Sequence, residues 1–107
     1  MNARAKGIKH ENLAKKVLLA EGWKVYGVPP SRAWQKQEDI FGLWDLFCVK
    51  GKLFKLVQVK TNQKPSPKPF KEFWDEHGVD VLSCEVWIYY QRGKAKRWIG
   101  WRKIIIN

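Results

Sequence analysis

A chain of 107 residues, 45% hydrophobic and 14% aromatic, holds enough apolar surface for one compact domain and too little for two. Its 21 Lys and Arg against 10 Asp and Glu leave a formal net charge of +11, which favours a polyanionic partner, most commonly nucleic acid, over a basic surface kept for solubility alone. No apolar run approaches the roughly 20 residues that span a bilayer, no signal-peptide core follows Arg4, Lys6 and Lys9, and no lipidation motif or clean basic amphipathic helix is visible, so a soluble cytoplasmic protein that does not act at a membrane is expected.

Met1 to Lys6 is polar and reads as loose. From about Ile8 to Glu21 the spacing of Leu13, Ala14, Val17, Leu18 and Ala20 predicts an amphipathic helix, and Gly22 stops it. Glu11 falls at the edge of the apolar stripe, one turn before Ala14, where its carboxylate can look along the sheet beneath; a surface glutamate favoured by the helix dipole would occupy the same place. Trp23 to Val28 alternates as a strand does and ends at Pro29-Pro30. The polar loop after it, 31–39, carries Ser31, Arg32, Trp34 and Lys36, a mixture suited to phosphate contacts and to stacking on an exposed nucleotide, although a merely solvated loop looks similar.

Two β-rich runs follow, Leu43 to Val49 and Leu53 to Lys60, separated by the hairpin signature Lys50-Gly51-Lys52. Alternation puts Asp45 on a face with Leu43 and Phe47, and Gln58 and Lys60 on a face with Lys52, Phe54 and Leu56. A lone carboxylate among apolar strand residues needs a reason. If Asp45 meets Gln58 and Lys60 at one point of the sheet, that point can bind a cation. Cys48 and Cys84 lie in apolar runs without a second ligand at metal-binding spacing and read as buried free thiols, not a disulfide or a zinc site.

Residues 62–69 hold three prolines and two lysines, Lys64 and Lys68, and form a stiff basic connection. Phe70, Phe73 and Trp74 predict a short helix closing near His77-Gly78; a histidine there is more often a partner of the helix dipole than a catalytic group. Val81 to Tyr90 is strongly β-prone, and Arg92-Gly93-Lys94 turns into a strand over Lys96 to Trp101, making a second hairpin. The apolar end, 98–106, is expected to pack on the core or on a partner subunit. The order is α-β-β-β-α-β-β, without internal repeats.

Glu11 on the first helix, Asp45 opening the second strand and Gln58-Val59-Lys60 on the third resemble, in that order, the PD-(D/E)XK nuclease superfamily, and within it the archaeal-type Holliday junction resolvases and their viral relatives. The resemblance covers about residues 7–90. It implies an α/β, restriction-endonuclease-like fold, with a mixed central sheet flanked by helices. It also implies a magnesium-dependent (or manganese-dependent) endonuclease that resolves four-way DNA junctions, acting as a homodimer on branched double-stranded DNA, in a host-cell cytoplasm if the protein is viral. Glu11, Asp45, Gln58 and the carbonyl of Val59 then become metal ligands, and Lys60 helps to orient the attacking water. Ser31 matches a serine near the scissile phosphate, while Arg32, Trp34, Lys36, Lys64 and Lys68 hold the DNA from loops on either side.

The same chemistry follows from the residues. Phosphodiester hydrolysis needs an activated water and neutralisation of the phosphate oxygens, which carboxylate-held divalent cations and one lysine provide. Two departures stand out: Trp44 precedes Asp45 where the motif has proline, and Gln58 stands where most members have Glu or Asp. An amide oxygen coordinates a hard cation but attracts it less than a carboxylate. Asp39 or Glu38 are the carboxylates close enough in sequence to restore the charge, although the commoner role of an aspartate before Ile-Phe-Gly is to cap the loop through its own backbone. The alternatives are a nuclease for flaps, nicks or ends, and a DNA-binding protein that keeps the fold with a site weakened by Gln58. The retention of Glu11, Asp45 and Lys60 argues against decay.

Overall fold

The computed structural model describes residues 3–27, 39–90 and 100–106, with side chains from residue 7 onward. Its elements are α1 (Ala3–Ala20), β1 (Lys24–Gly27), β2 (Leu46–Lys50), β3 (Leu53–Thr61), α2 (Lys68–His77), β4 (Leu82–Tyr90) and β5 (Gly100–Ile105). The strands form one sheet in the order β1-β2-β3-β4-β5. Three of its pairings are antiparallel, and β3 runs parallel to β4, which requires a crossover, supplied by α2. The mixed sheet, the two helices and their order agree with the fold class expected.

Strand β3 lies at the centre and is buried on both sides. Val57 and Val59 face α1 and pack with Ala14, Leu18, Leu46, Cys48 and Trp87. Leu56 faces the other way, among Trp44, Phe70 of α2, Cys84, Val86 and Ile88. Each fully buried aliphatic or aromatic side chain contributes roughly 1.5–3 kcal/mol to such a core. Cys48 and Cys84 therefore sit buried in separate cores on opposite sides of the sheet, not joined in a disulfide, and burial pushes both thiols up to about 11.

Boundaries differ from the sequence expectation in three places. Helix α1 begins at Ala3 and takes in most of the segment read as loose, because Ala, Arg and Lys are strong helix formers that need no apolar stripe to continue a helix. Strand β2 begins at Leu46, leaving Asp45 in the bend just before it; Phe41 and Gly42 take positive φ (53° and 71°) and turn residues 40–44 into a separate reversal. The last strand is Gly100–Ile105, running into the segment read as an apolar tail, while 91–99, with the expected turn and the start of the expected strand, lies outside the described residues. The tail is drawn into the sheet because Ile104 pairs with Val86, and Trp101 meets the ring of Trp87 at 5.5 Å. The first hairpin is as expected but tighter: Lys50 pairs with Leu53, and Gly51 (φ 60°) opens a two-residue turn.

On the α1 side the sheet buries a salt bridge that sequence reading did not find. Glu85 lies 3.2 Å from Lys55 Nζ and accepts hydrogen bonds from Ser83 Oγ and Trp87 Nε1, both at 2.8 Å. Lys55 is also 4.7 Å from the ring centroid of Trp23. Every partner comes from an alternate strand position, so the group is a by-product of register. Breaking a buried pair strands the remaining charge, at a cost of roughly 3–5 kcal/mol, whereas an apolar pair of similar volume is often tolerated. Glu85→Ala should therefore lose stability of that order in urea unfolding, and the double variant Lys55→Met/Glu85→Leu should recover most of it.

Candidate active site

The site is built where β2 begins beside the middle of β3. In the reversal before β2, Ile40 and Trp44 exchange two backbone hydrogen bonds, Ile40 N–H to Trp44 O at 2.7 Å and Trp44 N–H to Ile40 O at 2.9 Å. Trp44 is fully buried and wedged against Phe70 and Phe73 of α2, at 5.2 and 5.6 Å between ring centroids. This anchor fixes the next residue. The Asp45 N–H donates to Val57 O at 2.9 Å, and Asp45 Oδ2 accepts from Val59 N–H at 2.7 Å. Asp45 thus straddles Gln58, bonded to the residue on each side of it, with Lys60 two positions further along the strand.

Asp45 and Gln58 are 8% and 6% exposed, and among the described residues Gln58 Oε1 is a buried oxygen with no hydrogen-bond partner. Such an orphan costs about 1–3 kcal/mol unless something pairs with it. Glu11 arrives from α1, half-buried. The buried stripe of that helix is His10, Ala14 and Leu18. His10 Nδ1 lies 2.6 Å from Thr61 Oγ1, and its ring stacks on Tyr89 at 4.5 Å, so the helix is tied to the residue that follows Lys60. Sequence reading passed over His10 as polar, although its spacing of four from Ala14 and eight from Leu18 was a signal.

The groups feel one another. Burial raises Glu11 above the usual carboxylate range, Lys15 opposes this and Asp39 adds to it. Asp45 is pushed from 3.8 up to about 7, chiefly by burial; the Val59 N–H works against the shift, Glu11 and Asp39 add to it, and Lys60 works against it.

Glu11, Asp45, Gln58, Val59 and Lys60 are therefore neighbours through named contacts or fields. Ser31, Arg32, Trp34, Lys36 and Glu38 lie outside the described residues. Lys64 is exposed on the connection after β3, and Lys68 is exposed in the first turn of α2, 4.0 Å from Glu72. His77 closes α2 away from this cluster, 3.3 Å from Glu76 and against Phe73, and lines an apolar groove of about 380 Å³ with Phe41, Phe47, Phe54, Phe73 and Leu82.

Among the described residues no three His, Cys, Asp or Glu side chains stand together as a metal cage. The donors on offer are mixed: the carboxylates of Asp45 and Glu11, an orphaned buried amide oxygen and main-chain carbonyls. Oxygen donors of this kind fit a hard divalent cation that keeps part of its water shell.

The chain matches no protein-family model and no curated protein. Among solved structures it is similar to Archaeoglobus fulgidus Hjc, a Holliday junction resolvase from an archaeal hyperthermophile, with a TM-score of 0.59 and 15% identity, over 94% of this chain and 77% of that one. The likeness shows the fold, a nuclease-like α/β arrangement of a mixed sheet and two helices, which is the fold class expected from the sequence.

A carboxyl whose folded value lies above its unfolded one holds its proton more tightly in the native state. Its stabilising effect is complete below the unfolded value of 3.8 and is lost as pH rises through about 7. At about 1.4 kcal/mol per pKa unit the loss is on the order of a few kcal/mol. Thermal melts of the metal-free protein should fall between pH 4 and 8, and Asp45→Asn should flatten that fall and melt above the parent at pH 8.

Proposed function

We propose that the protein is a magnesium-dependent (or manganese-dependent) endonuclease that resolves four-way DNA junctions. The observation that carries this reading is Asp45 straddling Gln58, with Lys60 two residues on and Glu11 brought in by α1, in a chain with the fold of a resolvase. Asp45, Glu11, Gln58 Oε1 and the Val59 carbonyl would hold the cation. When bound, it supplies an activated water and neutralises charge on the phosphate. Asp45 would have to give up its proton to serve as a ligand, a step that its raised value of about 7 makes harder than for an ordinary carboxyl and that the charge of a bound cation would favour. Lys60 places its ammonium beside the attacked phosphate, where it orients the water and offsets the charge that builds in the transition state.

DNA is held by charge. The +11 excess releases counterions from a duplex as lysines replace them. Lys64 and Lys68, together with Ser31, Arg32, Trp34 and Lys36, are the proposed phosphate and base contacts. A four-way junction presents two equivalent strands, so a twofold homodimer offers an equivalent site to each. Most of the C-terminal apolar end is taken up by β5, and Phe41 and Phe54, exposed at the groove, offer apolar surface for such a contact. No helix among the described residues is long and apolar enough to cross a membrane; action on DNA in the cytoplasm belongs to the same reading. A DNA-binding protein without catalysis is the competing reading, and the orphaned Gln58 oxygen beside a buried carboxylate speaks for the enzyme.

With a synthetic four-way junction and magnesium, Asp45→Asn and Lys60→Ala should each lower cleavage by at least about a hundredfold while junction binding in gel shift stays within a few-fold. Cleavage at the parent rate by Asp45→Asn, or in EDTA, would sink the nuclease assignment. Light scattering of the protein and its junction complex should show two protomers, and junction affinity should fall steeply with added salt.

A further inference from the structure

We infer that Asp39 belongs to the cation site and supplies the negative charge that Gln58 lacks. The inference rests on the metal-dependent reading above and concerns how this chain completes its site without the usual third carboxylate. The reversal before β2 carries the argument. Ile40 and Trp44 exchange both backbone hydrogen bonds, at 2.7 and 2.9 Å, so Asp39 and Asp45, each next in the chain to one of the two bridged residues, flank the same closure.

A second, independent feature marks the place as built for a ligand. Gln58 is 6% exposed, its Oε1 has no hydrogen-bond partner among the described residues, and Asp45 bonds the main chain on both sides of it. A buried amide oxygen without a donor, beside an aspartate bonded to the main chain on both sides of it, is an acceptor that a cation can satisfy. The charge of Asp39 reaches both partners, since it raises Glu11 and Asp45 alike. The carboxylates do not form a ready cage, so Asp39 acts by its charge at the rim of the site and not as a close ligand. That suits an ion which keeps much of its water.

The turn itself does not need the Asp39 side chain. It is closed by the main chain, with Asp39 O accepting from Gly42 N–H at 2.9 Å and Ile40 O from Leu43 N–H at 3.1 Å. The capping role expected of an aspartate at this position is thus performed by its carbonyl, and the carboxylate is kept for another purpose.

The test is manganese binding to the full chain without DNA, read by the electron paramagnetic resonance of the free ion, with thermal melts to confirm folding. The parent should bind and Asp45→Asn should lose binding. Asp39→Asn should weaken it about tenfold, and Asp39→Ser, which keeps a turn-forming oxygen without the charge, should do the same. Asp39→Asn/Gln58→Glu should return to within about threefold of the parent, because the missing charge has been put back at its usual position. Binding by both Asp39 variants within twofold of the parent, with Asp45→Asn still defective, would overturn the inference and leave the nuclease reading standing, as would failure of Gln58→Glu to rescue. No binding by the parent at millimolar manganese would overturn the cation site itself, and this inference with it.

Discussion

The hydrogen bond from the Val59 N–H to Asp45 Oδ2, 2.7 Å long and buried, is the contact on which the rest of the site depends. Beyond Leu46 there is no further residue of β2 to pair with the middle of β3, and a side-chain carboxylate takes the place that the missing strand residue would have held. The exchange satisfies a buried N–H that would otherwise cost free energy. It also holds one oxygen of Asp45 in place, at the point where β2 gives way to the reversal. Loss of that bond would free both the aspartate and the central strand at the position of Gln58.

Two supports keep this contact from drifting. On one side of the sheet Trp44, buried against Phe70 and Phe73, locks the chain just before Asp45. On the other, His10 bonded to Thr61 and stacked on Tyr89 fixes the rotation of α1, so that the next residue, Glu11, comes within electrostatic reach of Asp45. The geometry of the cluster is thus set by aromatic packing away from it, which is how a site is held tightly enough for chemistry. A backbone left in an unfavourable region, Phe41 at φ 53°, is an expected cost of order 1–3 kcal/mol in such a neighbourhood.

Electrostatically the cluster is unbalanced as it stands. Burial drives Asp45 up to about 7, the charges of Glu11 and Asp39 add to the shift, and the Val59 N–H and Lys60 offset only part of it. A divalent cation resolves this imbalance more completely than a lysine can, since it brings two positive charges and accepts oxygen donors, Gln58 Oε1 among them. The rest of the molecule has the opposite sign, with a net charge of +11.

By itself the sequence determined the element order, the hairpin at Gly51, the two buried thiols and the choice of Glu11, Asp45, Gln58 and Lys60 as residues to watch, because hydrophobic period and turn chemistry are local properties written into neighbouring residues. The fold class was legible in the same way, through the order of elements around one short motif. Other features were decided only when distant segments met. The Lys55 and Glu85 salt bridge, the His10 and Thr61 contact and the orphaned oxygen of Gln58 join residues that have no sequence relation. The extension of the last strand to Ile105 came from pairing with β4, which drew in residues read as an apolar tail. Asp39 shows the boundary most clearly: in sequence it is one polar residue before a turn, and only the closure of Ile40 on Trp44 brings its charge to bear on Asp45. Propensity acts along the chain, whereas desolvation and Coulomb repulsion act through space and have no value until the sheet has formed.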